Sequence, residues 1–521
     1  MPKNVLTLVG TLKPLHRTAE VQVVRTRWLK PSLVEIFFLT VMLAAFGRPQ
    51  SWQSLISDGD CGWHIRTGDL ILKMGAVPYV DPFSFSRAGQ PWFAWEWLSE
   101  VIFSLLHRWG GLAAVAAFSV VLLCFTAALM LAWLLRRGAG LWIGAGVSFA
   151  VISASTIHYL ARPHIFSLLF TTVALWLLDE DRKNSGRSVW LLVPLCALWA
   201  NLHGGFVGLV IILGLLLAAA ALLRQREPLR RYGILAVLCS AATLLNPYGW
   251  RLHQHIVTYL GSSWILDNVQ EFQSPRIRSE SMMVFAALLL IGAALSSRAI
   301  ARREWFEAAL VLAWGFAALR SARHVPLYAV AAAPLIATEC AALWSWLAER
   351  RSRASPIVVF WQLSQDLGRS RYIGIWTPLL AAAGLWIVLP RAAVADFPAA
   401  GFPVDAVSRH ADLLRSHRVL TSDQWADYLI YHNYPDQRVF FDGRSDFYGI
   451  DVGHDYQALL SVSPNWRKAL DRYEFRVALL PMDWPLGAVL ERDPEWKVVD
   501  RDPKFLLLQR NRVAANIGGS P

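Results

Sequence analysis

The chain has 521 residues, 55% of them hydrophobic and only 17% charged, where soluble domains carry about a quarter charged residues, and this excludes an ordinary water-soluble globule. Its net charge of +12 does not imply nucleic acid, because Lys and Arg cluster in short loops at alternate ends of apolar blocks, the pattern that orients membrane proteins. The five cysteines have neither disulfide-framework nor metal spacing: Cys124, Cys196, Cys239 and Cys340 lie in apolar segments and Cys61 in a polar loop.

Residues 1–30 form a basic tail carrying Lys3, Lys13, Arg17, Arg25, Arg27 and Lys30. No short apolar region with a small-residue cleavage site lies near the start, so the first apolar block, about 33–55, is expected to stay in place with the tail cytoplasmic. Further blocks follow near 112–135, 141–157, 163–178, 189–201, 205–223, 233–246, 282–297, 304–319, 325–346 and 374–391. Their lengths match a hydrocarbon core of ~30 Å at a rise of ~1.5 Å per residue. They predict an all-α polytopic membrane protein of about eleven transmembrane helices, with a transmembrane domain over 31–395.

Between the first two blocks, over 48–111, lies a segment too polar to span a bilayer and dense in Asp, Glu, His, Arg and Trp. It opens on Asp58-Gly59-Asp60. In an extended chain residues two apart share a face, so these carboxylates are placed to share a divalent cation or to take a proton from a hydroxyl; an Asx-turn capping the helix that follows is the alternative. GWHIRTGDLILKMG (62–75) then reads as an amphipathic helix on the membrane surface. Trp63, Leu70, Ile71 and Met74 would face lipid, and His64 and Arg66 water; Arg is suited to bidentate phosphate binding. Asp81 and Glu96, the latter in Trp95-Glu96-Trp97, are further acids of this loop.

Arg-rich connections, among them Arg136-Arg137, Arg182-Lys183 and Arg302-Arg303, fall on the side of the tail. The opposite side carries Arg162 and His164, Asn201 and His203, Asn246 and Tyr248, Glu271, and Arg320, Arg323 and His324. The 48–111 loop opens onto this same side, so six connections bring titratable groups to one mouth of the bundle. Ionisable groups next to apolar segments are costly unless paired or working. Glu35 and Glu339 fall inside predicted spans, where pairing with Arg, protonation and a proton relay are all open.

From Asp396 apolar runs shorten and charge rises. Strands are expected at 419–423, 438–443, 476–481 and 504–510, and helices near 404–416, 423–433 and 464–473, giving a small α/β domain over 396–521 outside the cytoplasm.

Asp58 and Asp60, followed by GAVPYVDP (75–82) and GQPW (89–92), resemble the C-type glycosyltransferase superfamily, and within it the protein O-mannosyltransferase and aminoarabinose transferase pattern. The resemblance extends to the whole architecture, although the usual Asp-Glu pair is Asp-Gly-Asp here and Gln90 stands where a charged residue is common. It implies inverting transfer of a sugar from a polyprenyl-phosphate-linked donor to a glycan, lipid or protein acceptor, at the outer face of a bacterial inner membrane. Asp58 or Asp60 would be the general base and Asp81 a further catalytic acid. Arg162, Arg320, Arg323, His164 and His203 would meet the charge developing on the lipid phosphate, and a divalent cation such as Mg or Mn held by the acids would share that task. A transporter or flippase of a lipid-linked or anionic solute would use the same basic mouth. A non-catalytic scaffold presenting the C-terminal domain, with Asp442-Gly-Arg444-Ser-Asp446 as a binding turn, is the third reading.

Overall fold

A computed structural model describes residues 30–374, 376–388 and 394–511; the basic tail falls almost entirely outside them. Helices lie over each apolar block predicted to span. Among the described residues four are long and apolar enough to cross a membrane by themselves: Trp97–Arg136, Gly140–His158, Glu280–Ala301 and Ala322–Glu349. Shorter apolar helices occupy Ser188–Leu202, Phe206–Leu222 and Trp376–Ile387.

The first span differs from its expectation. It is two helices, Leu33–Phe46 and Pro49–Leu55, bent by 89°. Gly47 ends the first and Pro49 opens the second; Pro lacks the N–H that would continue the first ladder but suits the opening turn of the next. Ser32 and Glu35 form a reciprocal cap, the Glu35 carboxylate accepting from Ser32 N at 2.9 Å and from Gly374 N at 2.9 Å. Glu35 is thus an end cap, not a mid-membrane acid. Glu339 is paired with Arg302 at 2.6 Å and Arg298 at 3.1 Å.

The 48–111 loop is shorter than predicted, since the next helix begins at Trp97 and kinks at Gly110–Gly111. Gly111 has φ 64° and ψ −161°, a conformation open essentially only to glycine.

The C-terminal region is an α/β domain around one four-stranded sheet: β1 (Val419–Leu420), β2 (Val477–Pro481), β3 (Trp496–Arg501) and β4 (Phe505–Arg510), in the order β1-β2-β4-β3. β1 and β2 are parallel and the other pairs antiparallel. The two central strands are buried runs, VALLP and FLLLQR. Residues 438–443 do not join this sheet. They pair with the first loop, where Phe85 N donates to Val439 O and Val439 N to Phe83 O, both at 2.9 Å. β3 was not expected because its WKVVDR alternates, with one face exposed. Its place in the sheet comes from the β4 partner.

The same seam holds Asp81, expected to be catalytic. Asp81 is buried, accepts from Phe83 N and Ser84 N, and meets Arg444 Nη1 at 2.8 Å. Arg444 is also clasped by Asp442 at 2.6 Å and stacked by Trp92 and Phe83. The Asp81 oxygens are thus taken up by the backbone of its own loop, by Ser84 and, across the seam, by Arg444, and Asp81 is not among the residues lining the cavity described below. For the same reason Asp442-Gly-Arg444 is an internal pin and not an exposed binding turn.

Candidate active site

Asp58-Gly59-Asp60 is not extended. Gly59 is helical (φ −63°, ψ −27°), Asp58 Oδ1 accepts from Asp60 N at 2.9 Å, and Asp60 opens the helix Asp60–Met74. The Asx-turn alternative describes the backbone. The carboxylates converge all the same, because one guanidinium collects them: Arg162 Nη1 stands 3.0 Å from Asp58 Oδ2, and Nη2 stands 2.6 Å from Asp60 Oδ2. Glu271 Oε1 is 2.6 Å from Arg162 Nη1. Three carboxylates from two distant connections therefore share one cation.

The Asp60–Met74 helix is enclosed by protein, with Trp63 and Ile71 buried rather than facing outward. It is packed between the Trp97–Arg136 helix and the C-terminal domain's helix Asp423–Asn433, with Trp63, His64 and Ile71 buried. Its moderate amphipathicity reflects two protein partners, a distinction that periodicity alone does not carry. Arg66 is turned away from the mouth: its Nε donates to Tyr431 O at 2.7 Å, and Nη1 pairs with Asp69 at 3.1 Å. Cys61 is buried in this helix.

Arg162, Glu271 and Glu96 form the polar wall of a cavity of about 360 Å³. His158, His164, His203, Arg323 and His324 line it as well, and Val207, Ile211, Leu260, Trp314 and Leu327 give it an apolar flank. Arg323 is held over the Phe272 ring at 4.5 Å and donates to Tyr259 Oη at 3.3 Å, so it keeps its charge without a carboxylate ion pair. His164 Nε2 donates to His158 O at 2.7 Å.

His203 is fixed in one tautomer. Trp199 Nε1 donates to Ser167 Oγ at 2.7 Å, Ser167 Oγ lies 2.6 Å from His203 Nδ1, and Gly205 N donates to that same Nδ1 at 3.0 Å. With Nδ1 accepting, the proton sits on Nε2, 3.5 Å from Glu96 Oε1. Glu96 Oε2 lies 3.7 Å from buried His64, whose other nitrogen faces Glu100 at 3.6 Å. His64 is therefore behind the wall rather than on the water side.

Burial, offset in part by Arg162, pushes Glu96 up to about 8 from an ordinary 4.5. Burial also raises Asp60, opposed by Arg162 and reinforced by Asp58 and Glu271. Burial would raise Glu271 too, but Arg162 and Arg323 outweigh it and hold that carboxyl far below its usual range. A carboxyl with a raised folded-state pKa keeps its proton more tightly when folded, so stability falls as pH rises from the unfolded value toward the folded one. The Glu96 contribution should therefore fall between pH 4.5 and 8, read as the difference in unfolding temperature between wild type and Glu96→Gln, which is neutral throughout. A difference that does not change with pH would contradict the raised Glu96.

Asn201, Asn246, Tyr248 and Arg320 are not brought to the cavity. Asn201 accepts from Trp97 Nε1 at 2.8 Å, and Asn246 closes its own turn on Tyr248 N at 2.8 Å. Tyr248 Oη accepts from Ala94 N at 2.8 Å, and Arg320 is exposed at a helix end. Ser167 and Tyr259 border the cavity and Phe272 carries Arg323 on its ring, but none of them carried a sequence signal.

The donor set does not fit a divalent cation as arranged. The position between Asp58 and Asp60 is taken by the Arg162 guanidinium, and among the described residues no three of His, Cys, Asp and Glu are grouped to hold a metal ion.

No protein-family model matches the chain, and no curated protein is similar to it in sequence. Solved structures are similar in fold. The archaeal oligosaccharyltransferase AglB from Archaeoglobus fulgidus, in complex with an inhibitory peptide and a dolichol-phosphate, matches with a TM-score of 0.55 at 12% identity, over 86% of this chain and 69% of that one. The oligosaccharyltransferase of the same organism, tethered to an acceptor peptide containing the NVT sequon, matches with a TM-score of 0.58 at 12% identity, over 86% and 68%. ArnT from Cupriavidus metallidurans, bound to undecaprenyl phosphate, aligns over 94% of this chain and 99% of that one at 14% identity, with a TM-score of 0.45. The likeness to the oligosaccharyltransferases shows the fold, the multi-helix membrane fold expected from the C-type glycosyltransferase resemblance.

Proposed function

We propose that the protein is a membrane glycosyltransferase that moves a sugar from a polyprenyl-phosphate-linked donor to a hydroxyl-bearing glycan, lipid or protein acceptor at the extracytoplasmic face of a bacterial inner membrane. The observation that carries this reading is the composition of the cavity. Arg162 and Arg323 line it together with the apolar Val207, Ile211, Leu260 and Leu327. A lipid phosphate has these two halves, an anion and an isoprenoid. The AglB structure of the same fold holds a dolichol-phosphate.

In the inverting reaction the acceptor oxygen attacks the anomeric carbon opposite the phosphate, the bond from carbon to phosphate oxygen breaks, and the hydroxyl proton passes to a carboxylate. Asp58 is the base in this reading. Its side chain is 18% exposed against 7% for Asp60, so it is the member of the pair that an acceptor can approach. Asp60 anchors Arg162. Arg162 and Arg323 stabilise the leaving phosphate through charge that is already in place before reaction. No step is routed through a metal.

Lipid binding tests the reading without knowledge of the sugar. Undecaprenyl phosphate in detergent should bind the purified protein, and Arg323→Met should weaken binding by about tenfold, as expected for loss of one charge-assisted contact of roughly 1.5 kcal/mol. Equal binding of undecaprenol, which lacks the phosphate, would sink it.

A further inference from the structure

One contact of the C-terminal domain with Asp58-Gly59-Asp60 is lined by glycines. Gln424 Oε1 accepts from Gly59 N at 2.7 Å. A Cβ on Gly59 would stand 2.5 Å from Gln424 O and 3.0 Å from Asp427 Oδ2, and one on Gly62 would stand 2.9 Å from Asp427 O. A Cβ on Gly443 would overlap Asp60 Oδ1 and lie 2.8 Å from Asp427 Oδ2. Helix Asp423–Asn433 and the 442–444 segment therefore close on Asp58-Gly59-Asp60 with no room for a single added carbon.

This packing brings a second buried acid to Asp60. Asp427 has no exposed surface. Its Oδ1 accepts from Gly443 N at 3.0 Å, while Oδ2 has no hydrogen-bond partner. That unpartnered oxygen and Asp60 Oδ1, which also accepts from Trp63 Nε1 at 3.2 Å, both border the position a Gly443 Cβ would take. The other groups around Asp427 are Asp423 on its own helix, Asp442, which is neutralised by Arg444, and, beyond Asp60, Arg162. Arg162 is already engaged by Asp58, Asp60 and Glu271, so no cation is left for Asp427. Two buried carboxylates packed against one point away from water do not both ionise, and an unpartnered buried oxygen is costly. One proton placed between them removes both penalties.

We propose that Asp427 and Asp60 share a single proton across Gly443, a cross-domain carboxyl pair through which the C-terminal domain holds the acid that anchors Arg162. Asp427 is then a positioning residue. As a hydrogen-bond donor it keeps Asp60 Oδ2 available to Arg162, and the soluble domain becomes a structural component of the site. The proton sharing stands on geometry alone; its bearing on catalysis rests on the proposed transferase function. Burial and the charge of Asp60 both raise Asp427, in agreement with a protonated carboxyl.

Infrared spectroscopy of the full-length protein, labelled with carboxyl-13C aspartate and held in detergent at neutral pH, reads the proton directly. Wild type should show a labelled protonated-carboxyl band. Asp427→Asn and Asp60→Asn should each remove the same band, and the double variant should remove no more. Additive losses would mean two independent protonated acids, and absence of the band in wild type would mean none; either overturns the proposal. The wild-type arm needs no variant to fold, and Gly443→Ala, which leaves both acids in place but separates them, should shift the band. If lipid binding by wild type fails while the shared band is found, the transferase reading falls and the carboxyl pair stands. If transfer is found, Asp427→Asn, whose amide still donates to Asp60, should retain most of kcat with a displaced acid limb, and Asp427→Leu should lose both.

Discussion

Asp58→Asn should lower kcat for sugar transfer from a polyprenyl-phosphate donor by about 10²–10⁴-fold, the contribution of a positioned proton acceptor, while leaving affinity for undecaprenyl phosphate within about twofold. Asparagine keeps the size of the side chain, and its Oδ1 can still accept from Asp60 N, which Asp58 Oδ1 does at 2.9 Å. What it loses is the ability to take a proton and one of three negative charges facing Arg162. A fall in lipid affinity as large as the fall in kcat would assign Asp58 to binding instead. Asp60→Asn should differ in kind: because Asp60 is buried against Arg162, its loss should loosen the cation, and with it KM, more than it abolishes proton transfer.

Arg162→Met should be the most damaging single change at the site. It leaves Asp58, Asp60 and Glu271 together without a cation. Removing one partner of a buried ion pair costs about 3–5 kcal/mol, and part of that should reappear as uptake of protons by the orphaned acids. Denaturant unfolding should therefore show a large loss of stability at pH 8 that shrinks as pH falls, since protonation relieves the repulsion. Arg162→Lys should recover part of the stability but not the three-way contact, because an ammonium cannot offer the guanidinium fork. A stability loss independent of pH would show that the arginine acts through packing.

The membrane class, the helical blocks and the α/β composition of the C-terminal region were legible because long apolar runs and strand-length apolar runs are local properties of a sequence. The mouth was legible in part, since Arg162, His164, His203, Glu271 and Arg323 stand next to apolar segments where charge is costly, and the structure lines one cavity with all five. Asp81 was not separable from Asp58 by sequence. Both are acids in the same loop, and only the Arg444 contact from far along the chain consumes one of them. Asn201 sits at a helix end and Asn246 and Tyr248 in a turn, but their side chains satisfy backbone groups. Asp427 carried no signal at all. In QWADYLIY it is an ordinary polar position of an amphipathic helix until Gly59 and Gly443 are found to admit it.

The seam between the first loop and residues 438–444 sets a timetable for biosynthesis. Ser86 Oγ donates to Phe440 O across a sequence separation of 354 residues, and Asp81 waits for Arg444. A nascent chain makes its acidic loop early and completes residues 438–444 only after the last apolar helix has been made. Through that interval the loop has neither its pin nor its cover. A chain interrupted before residue 438 would be inserted but would never mature.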